Sequence, residues 1–210
     1  MKKSRNIGIL SALVGLAVLV VLFRFNRNTY YGEHYLIANY IGLLWVPMLF
    51  IFFVARDEPA RFGFCLGDSW RAWWPTLLLY AGVLVLLVPA SRMPTFQHFY
   101  PVEGRQVAST LPGFVFYEAR WGLYFFCWEF FFRGFLLFGL HRFIGWWAVL
   151  LQALAFGIMH FSKVRMEFMV AFPAGIILGM LALKSKSFLP SFVLHFAAAL
   201  TFDILVIWAR

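Results

Sequence analysis

The chain alternates long apolar runs with short polar breaks, and seven such runs can be marked out. The first, Ile7 to Phe23, follows a basic start, Met1-Lys2-Lys3-Ser4-Arg5. That beginning has the form of a signal peptide, but the run ends at Phe23-Arg24-Phe25-Asn26-Arg27 with no small-residue cleavage site, so it reads as a span. The second run covers about Tyr35 to Val54 and stops at Arg56-Asp57-Glu58-Pro59. Residues 56 to 71 then form a loop, expected to hold Phe62, Phe64, Trp70, Trp73 and Trp74 at headgroup level. Further spans are expected over Trp74 to Ala90, Phe114 to Leu140, Gly145 to Phe161, Phe168 to Leu183 and Phe188 to Trp208. Ser91 to Pro112, broken by Pro94, Pro101 and Pro112, is the longest polar connection.

These runs predict an all-α fold, a polytopic transmembrane bundle of about seven spans. Residues 1–113 read as N-terminal helices with the long loop, and residues 114–210 as a functional helical core, within one integral membrane domain. Composition agrees: 63% of residues are hydrophobic and 13% charged, far from the balance of a soluble domain. The net charge of +9 raises nucleic acid as a partner, but Lys and Arg sit singly between apolar runs and face headgroups instead. Nine Lys and Arg fall on the side of the N-terminal tail (positions 2, 3, 5, 56, 61, 71, 142, 184, 186) and eight opposite (24, 27, 92, 105, 120, 163, 165, 210), a slight bias toward a cytoplasmic N-terminus. Cys65 and Cys127 lie in different contexts and suggest neither a disulfide framework nor a metal motif.

Against this background, Phe125-Phe126-Cys127-Trp128-Glu129-Phe130-Phe131-Phe132-Arg133-Gly134 stands out. A Glu or Arg at mid-span costs roughly 2.5 to 3.5 kcal/mol. Glu129 and Arg133 are four apart, on one helix face, and can meet. The other polar candidates inside the runs are His160, His195 and Asp203, with Glu167 joining them by position. His195 and Asp203 are eight apart, about 80° around a helix, so both can face the interior. A carboxylate, two histidines and an arginine on three spans suit hydrolysis, with the carboxylate activating water and the cations stabilising an oxyanion. Each residue also has a structural reading. The Glu129–Arg133 pair can be a neutralised lock between helices, His160 an interfacial side chain, His195 a core hydrogen bonder and Asp203 a helix-end group. Two His and one Glu are a zinc set as well, yet the helical His-Glu-x-x-His spacing is absent; zinc is compatible but unforced, and no cofactor is required.

Glu129-x-x-x-Arg133-Gly134, Phe156-x-x-x-His160 and His195 in the last span resemble the three-motif signature of the CPBP (CAAX protease and bacteriocin-processing, or Abi) family of intramembrane endopeptidases. The resemblance covers about residues 114 to 208, including Gly175-x-x-x-Gly179 and Ser187 to His195. It implies a helical bundle whose motifs meet in a cavity open to the membrane and cleave a peptide bond near the end of a membrane-anchored protein or peptide. Bacterial relatives are linked to peptide maturation, immunity or sorting, so the resemblance also implies a bacterial inner (cell) membrane. The family was first described as metal-dependent and is now viewed as glutamate-dependent, its histidines holding the oxyanion. Two positions depart from the pattern. Trp128 stands where the first of two glutamates is usual, and Ala199 where the last motif has Asn or Asp; Asp203 and Glu167 are the replacements the chain offers. A bacterial branch with a Trp-Glu first motif, and with Lys and Glu after the second-motif His, is similar in carrying Trp128, Lys163 and Glu167 at these places. The expected function is an intramembrane endopeptidase with Glu129, His160 and His195 at its centre, Arg133 orienting, and Glu167 and Asp203 secondary. The alternative is a non-proteolytic scaffold or immunity protein of the same fold; a transporter lacks the paired broken helices it would need.

Overall fold

A computed structural model of the chain describes residues 2–67 and 73–208; Trp70, Arg71 and Arg210, used above, lie outside the described residues. The described chain is 84% helical with no strands. Seven apolar helices carry the architecture: α1 (Lys2–Arg27), α2 (Glu33–Ala55), α3 (Trp73–Ser91), α4 (Leu111–Ile144), α5 (Trp147–Met159), α6 (Arg165–Ser185) and α7 (Leu189–Trp208). All but α5 are long and apolar enough to cross a membrane. Helix α5, where Gly145 to Phe161 was expected to span, has 13 residues, or about 20 Å at 1.5 Å per residue. Hydropathy sees the apolar run but not its ends. Gly145, at φ 59, starts the helix late, and a turn at His160 stops it inside the bundle, with His160 8% exposed.

Helix α4 is the axis of the fold. In its most apolar window 78% of residues are buried, against 11–33% in the other spans. Its start is set by Thr110, whose hydroxyl accepts from the Gly113 N–H at 3.2 Å, with Pro112 in the first turn. Residues Phe130–Leu136 widen into a π-helical turn in which every side chain is buried. Such turns are uncommon and recur at functional positions. Helix α7 runs antiparallel beside α4, from Phe188 against Phe126 (5.1 Å between ring centroids) to Trp208 against Phe114 (6.4 Å). Helices α5 and α6 form a tight pair, with Gly175 so placed that a Cβ would meet the Ala153 Cβ at 3.0 Å. Helix α2 binds α4 through the Tyr35 and Tyr124 hydroxyls, 3.2 Å apart, while Tyr80 of α3 meets Thr201 of α7 at 2.6 Å.

The loop after α2 corrects one expectation. Phe62 does not reach headgroups: it has no exposure, lies 6.1 Å from the Phe135 ring, and carries the Arg142 guanidinium over its face at 4.4 Å. Asp57 pins this loop to α4 through Arg142 at 2.6 Å. Burial, the largest single effect, raises the pKa of the Asp57 carboxyl, but the hydrogen bonds from Arg142 and the Glu58 N–H, with the charges of Arg142 and Arg61, together outweigh it, and the net value falls below the ordinary one. Gly134 is required by this packing, since a Cβ there would stand 2.8 Å from Phe130 Cδ2 and 2.9 Å from the Phe62 carbonyl oxygen. Replacing Gly134 by Ala should therefore destabilise the fold by about 1–3 kcal/mol through overpacking. The check is the midpoint of unfolding in detergent, with Gly82→Ala, where a Cβ meets nothing within 4 Å, as the control.

Candidate active site

The site forms where α4, α5 and α7 meet. Glu129, with no exposed surface, accepts two hydrogen bonds on Oε1: from Arg133 Nη1 at 3.0 Å and from His195 Nδ1 at 2.6 Å. The four-residue spacing on α4 delivers the first contact, and the pairing of α4 with α7 delivers the second. Arg133 is also unexposed, and its guanidinium lies 3.9 Å from the centroid of the Phe156 ring. His195 is the half-buried member, with a fifth of its side chain exposed, so the site is approached from its side.

His160, at the end of α5, donates its Nδ1 hydrogen to the carbonyl oxygen of Phe156 at 2.8 Å, because a carbonyl can only accept. In the neutral ring this leaves Nε2 with a lone pair. The Phe156 ring joins the two halves of the site. It lies 4.4 Å from the His160 ring and 5.8 Å from the His195 ring, with Arg133 over its face. Trp128 closes the same side, edge-on to His160 at 5.8 Å. Several buried polar atoms here have no hydrogen-bond partner: Glu129 Oε2, Arg133 Nε and Nη2, and Trp128 Nε1.

Glu167 and Asp203 belong to a second cluster, nearer the long loop. Tyr100 donates to Glu167 Oε2 at 2.5 Å, and Tyr117 donates to Asp203 Oδ2 at 3.2 Å. Lys163, on the turn that follows His160, sits under the faces of Tyr31, Phe99 and Tyr100 at 5.1 to 5.5 Å. Burial, the largest single effect, lowers the pKa of its ammonium, but the charges of Glu167, Tyr31, Tyr35 and Asp203 together reverse this and hold the value above the ordinary one. Burial, and then Glu167, push the Tyr100 hydroxyl well above its ordinary value, so it stays protonated as the donor. The geometry thus brings Glu129, Arg133, His160 and His195 together around Phe156 and sets Glu167 and Asp203 apart on tyrosine partners. Among the described residues no three His, Cys, Asp or Glu side chains are placed to hold a metal ion.

Residues 109–201 match the family model described as type II CAAX prenyl endopeptidase Rce1-like. This stretch of the helical core is similar to that family. The matched segment carries Glu129, Arg133, His160, Glu167 and His195, and ends just short of Asp203. The match agrees with the CPBP resemblance carried by the three motifs. The similarity is thus to CAAX protease-like enzymes, and the chain's six long apolar helices mark an integral membrane protein. No curated protein and no solved structure matches the chain.

Beyond the candidate residues, Phe156 and Trp128 contribute to the site and Tyr100 to the second cluster. Phe156 was read only as a motif letter, although its position four before His160 already placed its carbonyl beneath that ring. Trp128 was noted as a substitution, and nothing in its spacing announced the contact with His160. Tyr100 carried no signal, being an aromatic residue in a long loop. The buried ion pair yields a direct test. Arg133→Leu strands the Glu129 carboxylate against His195 alone and should cost about 3–5 kcal/mol, while the double change Glu129→Leu/Arg133→Leu should cost less than that single change. Both are read from unfolding in mixed detergent micelles.

Proposed function

We propose that the chain is an intramembrane endopeptidase that hydrolyses a peptide bond of a membrane-anchored protein or peptide, by water activated at Glu129, with no cofactor required and zinc compatible but unforced, in a bacterial inner membrane. The observation that carries this reading is the 2.6 Å contact from His195 to Glu129 on an oxygen that also accepts from Arg133. With Oε1 so occupied, Oε2 of Glu129 is the oxygen free to take a proton. Arg133 and His195 hold the carboxylate in one orientation, and His160, through its Nε2 lone pair, accepts a hydrogen from the water and aligns it.

Attack then proceeds in balance. The water oxygen bonds to the scissile carbonyl carbon, its proton passes to Glu129 Oε2, and the carbonyl π electrons move onto the carbonyl oxygen. His195, with Nδ1 committed to Glu129, has Nε2 for the substrate side and in its protonated form donates to that oxyanion. On collapse the carbon–nitrogen bond breaks, and the proton held by Glu129 goes to the leaving amine. Glu167 and Asp203 enter as secondary groups, which steady α6 against Tyr100 and α7 against Tyr117.

Cleavage of a co-expressed membrane-anchored substrate tests the assignment. Alanine at Glu129, His160 or His195 should each lower cleavage by about 10²-fold or more, and Glu129→Gln should do as much as Glu129→Ala. Glu167→Gln and Asp203→Asn should lower it far less. Full cleavage by all three alanine variants would overturn the assignment. Loss of a biological effect only when packing fails, with Glu129→Gln tolerated, would favour a non-proteolytic scaffold or immunity protein of the same fold.

A further inference from the structure

The indole of Trp128 has a role in this site that its aromatic surroundings conceal. Trp128 is 4% exposed and packs between Tyr124 (5.4 Å) and Phe132 (5.1 Å) along α4, with Phe156 at 6.1 Å and His160 at 5.8 Å across from it on α5. Its Nε1–H is buried and donates to nothing. A buried donor left without an acceptor is costly, and native folds satisfy the large majority of such groups. Of the polar groups around the ring, the Tyr124 hydroxyl is engaged with Tyr35, and His160 has its Nδ1 on the Phe156 carbonyl.

The donors of the site can be sorted by position. A neutral His160 presents a lone pair at Nε2 and cannot donate to an oxyanion. Arg133 has free Nε and Nη2 hydrogens, but it is wholly enclosed over Phe156 and lies one turn beyond Glu129, roughly 7.5 Å farther along α4 from the Trp128 level. Trp128 adjoins Glu129 in the chain and shares a wall with His160, which aligns the attacking water, so the carbonyl that this water attacks lies beside the indole.

We infer that the indole N–H of Trp128 is a catalytic hydrogen-bond donor, which bonds the scissile carbonyl oxygen as it gains charge and completes an oxyanion site with His195. This rests on the proposed hydrolysis at Glu129. The indole keeps its hydrogen throughout: the carbonyl π electrons move to oxygen on attack and return on collapse, and no proton passes to or from Trp128. The position therefore contributes a neutral donor, where a second carboxylate would contribute a proton acceptor.

Trp128→Phe keeps the ring contacts and removes the N–H. The expected result is a fall in kcat of about 10²-fold with KM changed less than twofold, and a parallel loss of affinity for a peptide phosphonate that mimics the tetrahedral intermediate. Trp128→His, which restores a ring N–H, should recover part of kcat. In the wild-type protein, the indole 1H–15N signal absent from Trp128→Phe should move downfield when the phosphonate is added. Wild-type kcat and phosphonate affinity in a folded Trp128→Phe, or an indole signal that stays in place, would overturn the inference and leave Trp128 as packing. Cleavage that survives Glu129→Gln overturns the Glu129 reading separately; phosphonate affinity in Trp128→Phe still decides the indole.

Discussion

A carboxylate with no exposed surface, in a bundle meant for lipid, has to be compensated where it stands. Glu129 is compensated twice, by an arginine on its own helix and a histidine on the next, and both contacts fall on one oxygen. The remaining architecture follows from keeping that arrangement dry and fixed. Helix α4 bears the charges and is also the helix the others enclose, which removes water and strengthens each of these contacts. Aromatic side chains do the enclosing. Phe156 stands under the guanidinium and between the two imidazoles, filling space that smaller side chains would leave loose.

Local departures from ideal helix serve the same end. The wide turn over Phe130–Leu136 lets a segment of seven consecutive buried residues find partners on every side. Gly134 within it admits the Phe62 carbonyl, and so a loop outside the apolar runs comes to cap the far end of the charged turn. On the other end, Tyr100 and Tyr117 hold Glu167 and Asp203. Two polar clusters result, one built on histidines and one on tyrosines, with the His160–Lys163 turn between them.

Much of this was legible from residue order, and the reasons differ by residue. The helices were readable because apolar runs of this length have few other uses. Glu129, Arg133 and His195 were readable because an uncompensated charge or imidazole in such a run is expensive. Phe62 was misplaced because an aromatic residue between Arg61 and Gly63 has the local context of a headgroup anchor, and only the tertiary packing shows it to be core. Glu167 and Asp203 could not be separated from the Glu129 group, since spacing along a helix gives a direction and a height but no distance to other helices.

Helix α3 has a consequence of another kind. Only 11% of its most apolar window is buried, and it joins the bundle chiefly along α7, with Tyr80 bound to Thr201. Its 19 residues extend about 28 Å, close to the roughly 30 Å of a hydrocarbon core. A span so matched and so little buried is surrounded by lipid more than by protein. Through Tyr80 and Thr201, the helix that carries His195 is therefore tied to a neighbour whose own setting is mostly the bilayer.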